Sequence, residues 1–577
     1  MLDLVRLFAK VTKMSIKFIL DYMGLFIKNR LTILSILLII SRVNTFSQPC
    51  ETNFTLQPVQ GNNSIEWDKF PQFTLPFTII YNGPRFGDQN SRPLQHGFSH
   101  IAYFSGPENS TLPVKNRALL WNSVASVEVF QPWSVVGLES PWGNDTAIYR
   151  RHWDRYITDM ANLFDDSRLS GIPRADIICL DVERMQELDR DILNLKRDNR
   201  IPEGYRSLAD NTFMTTYKKD IRWWYTAPVN YLKNKGLPET TKLSSYSDVP
   251  VRGTWLNVTT NSWADWTSNT QRTHYLMQDD AGKIGGSFYN AMDILMPSAY
   301  YYYPYENPLG KDYLSYLLFQ IEVNKAWSSK DIIPFVWLRY HDSFVPGAPQ
   351  IPKFMAEATA IFPFFSGAKG LWLWDNNMFE NTQQQNYSTY EHFIYGLYRL
   401  SQFSDMFQGN YELVIPQSAR DHMQQRNPIW RGVVKDGKIV IAAQNTYAAE
   451  NQNTELTVTY KQWTKTITLT GRDVFLCKFD LSDVVSALDS SLQVANVYPN
   501  PTDQKSVFVN LSSRSTHSNL TFELLDLKGV VLRTTQMPTQ IGDIRYQFDL
   551  PIVPEGLYML RISSENSSTS HSIFIKN

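Results

Sequence analysis

Two carboxylates, Asp181 and Glu183, close the apolar run Ala175 to Glu183 (ADIICLDVE). On an extended strand, side chains at i and i+2 share a face, roughly 6.6 Å apart at the backbone, and Val182 between them points the other way. In a cleft, mutual repulsion and partial burial raise the pKa of one member of such a pair. A protonated acid then stands beside a charged partner near neutral pH. Glycosidic bond cleavage needs that combination, because the leaving oxygen must be protonated while positive charge develops at the sugar carbon. The same Asp-x-Glu pattern also arises where a strand end is merely solvated or caps a helix, so the surrounding elements decide its meaning. Other polar or aromatic residues recur at the ends of apolar runs: Asn82, Tyr300, Arg339, Asp342 and Trp374.

The elements that must position these groups alternate between strand-like and helical patterns from about Pro71 to Leu400. The strand-like runs are PFTIIY from Pro76, SHIAYF from Ser99, ADIICLDVE from Ala175, MDILMPSAYYYY from Met292, IIPFVWLRY from Ile332 and GLWLW from Gly370. Apolar strands separated by helices predict a parallel sheet buried on both faces. In a span of this length the expected fold is α/β, a (β/α)8 TIM-like barrel, with its chemistry at the carboxyl ends of the strands. A doubly wound sheet is the alternative, but no glycine-rich nucleotide loop follows any strand. Within Tyr300 to Tyr303, strict alternation lets only two tyrosines face the mouth; Tyr300 is expected there, with Tyr302 the other candidate.

Composition narrows the chemistry. A net charge of −1 gives no basic surface for nucleic acid. Aromatic residues make up 14% of the chain, with 16 Trp and 30 Tyr, which fits either a strand-rich core or a cleft where rings stack on the C–H faces of sugars. The cysteines Cys50, Cys179 and Cys477 are too few for a disulfide framework and have no zinc spacing, and Cys179 is expected as a small buried hydrophobe. The nine histidines form no metal pattern; His341 beside Asp342 reads as a polar loop pair. Neither a Gly-x-Ser-x-Gly elbow nor a phosphate loop is present. No cofactor or metal is expected.

The two ends of the chain concern export. Leu31 to Ile40 (LTILSILLII) follows Lys28, Asn29 and Arg30, which predicts a signal peptide cleaved before Gln48, after Thr45 and Ser47. The last eighty or so residues are short strands broken by turns. They include Tyr498-Pro499-Asn500-Pro501, then Asp526-Leu527-Lys528-Gly529, then Pro554-Glu555-Gly556-Leu557-Tyr558. In order and wording these segments resemble the C-terminal sorting domain of the type IX secretion system of Bacteroidetes. That resemblance implies export across both membranes to the surface or beyond, the secretion machinery as partner, and membrane contact only in transit or through an anchor.

The central segments, in order, resemble the barrel of hyaluronidase-type glycoside hydrolases. Pro76 to Asn82 is similar to that family's opening strand, Leu180-Asp181-Val182-Glu183 to its catalytic strand end, and Met296-Pro297-Ser298-Ala299-Tyr300 to its Tyr-Pro-Ser-Ile-Tyr segment. Ile333 to Asp342 resembles a later strand, and Gly370 to Trp374 with Glu380-Asn381 resembles its closing motifs. The resemblance implies that Glu183 is the general acid and base and that Asp181 orients the substrate's acetamido group, whose carbonyl oxygen attacks the anomeric carbon. Tyr300 and Trp374 would pack around that amide, and Tyr340 and Arg339 would contact substrate. The family's Trp between the carboxylates is Val182 here. Its second active-site tyrosine has no clear counterpart and is expected around Trp255 and Trp263 (RGTWLNVTTNSWADW).

The expected organisation is a signal region (1–47), an N-terminal extension (48–70), the barrel (71–404), a β-sandwich (405–484), a linker (485–495) and the sorting domain (496–577), acting as a monomer. The expected function is a secreted glycoside hydrolase, endo-acting on an N-acetylhexosamine-containing polysaccharide. Two rivals remain open: a two-carboxylate glycosidase on a sugar without N-acetyl groups, and a non-catalytic glycan-binding surface protein.

Overall fold

The computed structural model describes residues 50, 54–57, 64–84, 91–102, 111–121, 134–135, 138–139, 141–142, 146–164, 172–182, 188–253, 258–375, 386–482, 492–503, 505–513, 519–526, 529–538, 542–563 and 568–576. The expected signal region, Glu183, Trp255, Glu380 and Asn381 lie outside the described residues. The chain divides into two compact units, one of residues up to 456 with 467–480, the other of residues 457–466 and 481–577. Among the described residues no helix is long and apolar enough to cross a membrane.

Among the described residues of the first unit, nine short strands lie parallel: β1 (Thr78–Asn82), β2 (His100–Ile101), β3 (Ala118–Trp121), β4 (Ile177–Leu180), β5 (Lys242–Ser245), β6 (Ile294–Leu295), β7 (Asp331–Ile332), β8 (Phe335–Val336) and β9 (Gly370–Trp374). Ladders join β8, β9, β1 and β2 in one sheet, β3, β4 and β5 in another, and β6 with β7 in a third. Single parallel bridges connect these sheets: Ile101 to Arg117, Tyr246 to Met296, and Ser298 to Phe335. Helices intervene, the longer ones being α1 (Thr146–Leu163), α2 (Asp210–Asn234), α3 (Tyr313–Trp327), α4 (Lys353–Phe365) and α5 (Ser388–Ser401).

The apolar runs are continuous because both strand faces are covered. Along β1, Ile80 enters an inner cluster while Ile79 and Tyr81 pack outward among helix residues. Along β4, Ile177 and Cys179 go inward and Ile178 and Leu180 outward. The inner cluster also takes Ala118, Ile294, Met296, Phe335 and Trp372. Every second residue of the strands thus meets a common centre, as the pleat dictates.

Antiparallel structure follows the parallel strands, most of it in this unit, with the tip of one hairpin, residues 457–466, in the second. Residues 405–484, expected as a separate β-sandwich, carry a four-stranded antiparallel sheet of β10 (Glu412–Val414), β11 (Ile429–Lys435), β12 (Lys438–Gln444) and β15 (Phe475–Asp480), and a hairpin of β13 (Asn453–Tyr460) and β14 (Trp463–Thr470). Val433, Val440, Ala442 and Leu476 belong to the same apolar core as α3 and α4. Helix α3 is consequently buried nearly all round from Tyr313 to Asn324. Its Glu322 pairs with Arg431 of β11 at 2.9 Å, and also accepts from the Ser366 hydroxyl at 2.8 Å and the Ala419 amide at 2.8 Å. The short helix α6 (Ala419–Gln425) completes this region. Cys50 and Cys477 form a single disulfide between the N-terminal extension and β15, and Cys179 is free and buried, as expected.

The second unit contains two antiparallel sheets. One is β16 (Leu492–Tyr498), β17 (Ser506–Ser513) and β20 (Gly542–Asp549); the other is β18 (Leu520–Leu525), β19 (Val531–Met537), β21 (Gly556–Ser563) and β22 (Ser568–Ile575). Val507, Val509, Phe522, Leu560 and Ile573 share their core. The Asp-x-x-Gly turn forms as anticipated: Asp526 accepts from the Gly529 amide through its carbonyl and from the Val530 amide through Oδ1, with Gly529 at φ 82°. Strand β16 begins inside the stretch expected to be linker.

Two tests follow from this packing. Arg431→Ala leaves the Glu322 charge buried without its partner and should cost about 3–5 kcal/mol in urea unfolding. The double change Glu322→Leu with Arg431→Met should recover most of that loss; no recovery would mean that the pair is not what joins sheet to helix. Burial also holds the His422 imidazole down at about 4, with Arg431 adding to the effect. The unfolded chain protonates it near 6.5, so its stabilisation is complete above that pH and is lost as pH falls toward 4. His422→Gln should therefore flatten the fall of melting temperature between pH 6.5 and 4, and an unchanged slope would reject this source of acid sensitivity.

Candidate functional site

A pocket of about 130 Å³ opens where the parallel strands end. Its wall draws on Leu120 of β3, Asp181 just past β4, Tyr246 just past β5, Tyr300 past β6, Phe335 and Trp337 at β8, His341 and Asp342 from the loop after β8, and Trp374 of β9. Three of the residues expected from sequence, Asp181, Tyr300 and Trp374, are thereby brought together. Alternation explains Asp181: it continues the inward series Ile177, Cys179, while Val182 turns outward and is buried in the helix layer. Glu183, the expected acid, lies outside the described residues. Burial and the nearby Asp181 push the Cys179 thiol well above its ordinary range, which leaves it a neutral packing group beneath the pocket floor.

The aromatic walls interlock. Tyr300 stacks on Trp374 with ring centres 5.7 Å apart, and Trp337 meets Trp374 edge-on at 4.9 Å. Tyr246 lies 5.8 Å from Tyr300 and donates its hydroxyl to Ser298 at 3.0 Å. The segment carrying Tyr300 is held by backbone bonds in both directions, Phe335 N–H to the Pro297 carbonyl and Ala299 N–H to the Phe335 carbonyl, each 2.9 Å. As alternation requires, Tyr301 turns into the core and hydrogen-bonds Thr359 at 2.5 Å.

Behind this wall, Asp375 is 3% exposed and gathers three donors. They are Trp337 Nε1 at 2.7 Å, Arg339 Nε at 3.1 Å and the Tyr390 hydroxyl at 2.5 Å. Burial and the adjacent carboxylate push the Tyr390 phenol well above its ordinary value, so it remains a donor. The Asp375 amide in turn bonds the Asn82 carbonyl at 2.8 Å, tying the end of β9 to that of β1.

Two expected contacts fall elsewhere. Arg339 does not line the pocket; it is buried against Asp375 and donates to the Ala348 carbonyl at 3.2 Å. Tyr340 points into the helix-side core, where its hydroxyl accepts the Tyr305 amide at 3.0 Å. Two aromatic wall residues, Tyr246 and Trp337, were not singled out from sequence, and His341 was read only as part of a polar loop pair. Trp337 is two residues beyond inward-facing Phe335, and Tyr246 immediately follows the run Lys242–Ser245, so alternation and the strand-end rule would have found both. The second tyrosine was sought instead near Trp263, which packs on Phe319 at 6.3 Å. No cluster of His, Cys, Asp and Glu that could hold a metal occurs among the described residues.

Residues 496–576 match the family model described as a secretion system C-terminal sorting domain. The chain is therefore exported through the type IX secretion system to the cell surface or extracellular space, and that machinery is its partner in transit. No curated protein matches the chain in sequence. Among solved structures it is similar to bee venom hyaluronidase, at 12% identity and TM-score 0.36, over 57% of this chain and 99% of that one. It is also similar to a GH30 endoxylanase from Clostridium papyrosolvens, at 11% identity and TM-score 0.29, over 83% and 96%. A third is a putative α-galactosidase from Bacteroides fragilis, at 11% identity and TM-score 0.31, over 70% and 79%.

Asp375→Ala should cost about 3–5 kcal/mol, because it strands the buried Arg339 guanidinium, and should alter tryptophan fluorescence as Trp337 loses its acceptor. Wild-type stability and fluorescence in that variant would remove Asp375 as the support of the wall.

Proposed function

We propose that residues 71–404 form a closed (β/α)8 barrel and that the chain is a secreted glycoside hydrolase, endo-acting on a polysaccharide containing N-acetylhexosamine. The observation that carries this reading is the strand-end pocket, where one carboxylate, Asp181, faces a wall of Tyr246, Tyr300, Trp337 and Trp374. Barrel closure is supported by the pairing order, which runs through ladders and single bridges from β1 to β9 and back to β1. The common inner cluster supports it as well.

In this mechanism Glu183, two positions beyond Asp181, donates its proton to the glycosidic oxygen as the bond to the anomeric carbon breaks. The acetamido carbonyl oxygen of the same sugar attacks that carbon, forming a cyclic intermediate, while Asp181 accepts the acetamido N–H and keeps the amide in line. The tyrosines and Trp374 brace the amide. Glu183 then takes a proton from water, whose oxygen attacks the anomeric carbon and reopens the ring. Such substrate assistance replaces the carboxylate nucleophile of the commoner retaining scheme. A second reading has support of its own: Asp342 lines the same pocket as Asp181, which would suit two carboxylates acting on a sugar without an N-acetyl group.

The test compares the purified chain with Glu183→Gln on hyaluronan, chondroitin, chitin oligomers and a panel of plant and algal polysaccharides, following new reducing ends. Release from an N-acetylhexosamine polymer should fall at least about 100-fold in the variant. Cleavage confined to amide-free polymers would replace the substrate-assisted mechanism with the two-carboxylate one. Equal inertness of both proteins, with glycan binding retained, would leave a non-catalytic binding protein.

A further inference from the structure

A second cavity, about 400 Å³, adjoins the strand-end pocket in the same unit. Tyr302 lies on its wall and His341 on the wall of the pocket, and the two partly exposed rings stack at 5.0 Å. The two spaces meet across that pair. By itself the strand-end pocket, about 130 Å³, is small beside the roughly 300–1,000 Å³ of small-molecule sites. A length of polysaccharide needs more room than that, and the adjoining cavity supplies it.

Rings also continue the aromatic wall out of the pocket. Tyr300, stacked on Trp374, lies 6.2 Å from His341, and Tyr302 comes next. Phe344 then meets Tyr302 edge-on at 5.0 Å and lies 6.0 Å from Tyr303. Phe344 is 44% exposed. An isolated exposed ring is ordinary on a protein surface, but this one belongs to an unbroken row that begins in the candidate site.

The backbone holds the row in place. Tyr301 and Tyr340 form a parallel bridge and both turn into the core, so Tyr302 and His341, one position further, share the opposite face. The His341 amide donates to the Tyr301 carbonyl at 2.7 Å, which ties the two loops together. The His341 carbonyl in turn accepts from the Phe344 and Val345 amides at 3.0 and 2.9 Å. Polar groups flank the rings. Asp342 lines the pocket, and on the cavity wall the half-exposed Arg426 guanidinium gives one nitrogen to Asp312 at 3.0 Å and keeps further N–H groups.

We propose that the pocket and the cavity are one cleft, and that the row His341, Tyr302 and Phe344 is the platform for the sugar units next to the reacting one. Its occupant is a polysaccharide chain, whose C–H faces stack on the rings while its hydroxyls reach Asp342 and Arg426. Rings fixed beforehand bind such a chain without the cost of ordering loops. The inference deepens the glycoside hydrolase reading and rests on it: the cleft takes a chain rather than a single sugar, and Tyr302 and Phe344 set how firmly that chain is held.

The test uses the full chain carrying Glu183→Gln, which leaves polymer intact, alone and with Tyr302→Ala, Phe344→Ala or Phe344→Trp added. Each is run through native gels containing hyaluronan, chondroitin, a soluble chitin, xylan or galactomannan. Affinity for at least one polymer, read from retardation, should weaken about three- to tenfold with Tyr302→Ala and with Phe344→Ala, and persist with Phe344→Trp. Trp223→Ala, which removes an exposed ring from α2, should change nothing. An unchanged melting temperature in Phe344→Ala separates a lost contact from a lost fold. In the active chain, Tyr302→Ala and Phe344→Ala should raise KM for the polymer by the same factor and keep kcat. Equal retardation of all variants, or an equal loss with Trp223→Ala, overturns the platform. Hydrolysis by the wild type together with equal retardation means that the platform alone fails. Retardation that depends on Phe344, without hydrolysis of any polymer, ends the hydrolase reading and leaves the platform as a glycan-binding face. Neither retardation nor hydrolysis on every polymer overturns both.

Discussion

The buried carboxylate of Asp375 holds one end of the strand assembly together, and the candidate site depends on it. A charge this deep persists only with donors around it, and here they come from β8's extension and α5, with the carboxylate's own backbone tied to β1. Trp337 is oriented by its bond to that carboxylate, and Trp374 is pressed between Trp337 and Tyr300. The pocket wall is thus a set of rings whose positions are fixed from behind. In the proposed function this rigid aromatic wall would receive a sugar, which has faces to stack but little apolar volume to bury.

A second buried pair, Glu322 with Arg431, does for the antiparallel sheet what Asp375 does for the strand ends. Helix α3 has strands on one side and the sheet on the other, so it has no solvent face and no polar stripe. Its few polar residues must find partners inside: Glu322 takes Arg431, and Asn324 bonds the backbone of Val251 at 2.8 and 3.0 Å. That burial brings α6 against the start of α3, where Ser315 Oγ and His422 Nδ1 lie 3.3 Å apart.

Much of this organisation could be read from local pattern alone. The apolar runs announced strands covered on both faces, and the pleat set Asp181 inward and Val182 outward before any contact was known. Among the tyrosines from Tyr300 to Tyr303, alternation separated Tyr300 from Tyr301 correctly. The turn Asp526 to Gly529 and the strands around it were legible because turn chemistry is local. The sorting domain was legible for the same reason, as an ordered series of short signals.

What the sequence by itself determined, then, is everything governed by residues two to four positions apart: element type, strand face and turn. Only the tertiary structure decided which strand ends share a pocket, because Asp181, Tyr246, Trp337 and Trp374 lie far apart in the chain and meet through parallel pairing. It also decided that Tyr340 faces the helices, since the chain past β8 packs its hydroxyl against the Tyr305 amide, and that Arg339 pairs with a buried Asp375. The same holds for Cys50 and Cys477, separated by 427 positions, and for the sheet of β10, β11, β12 and β15, whose apolar face closes over α3. In each case the partner is chosen by long-range packing, in which a buried charge or apolar face must be matched by whatever the fold brings beside it.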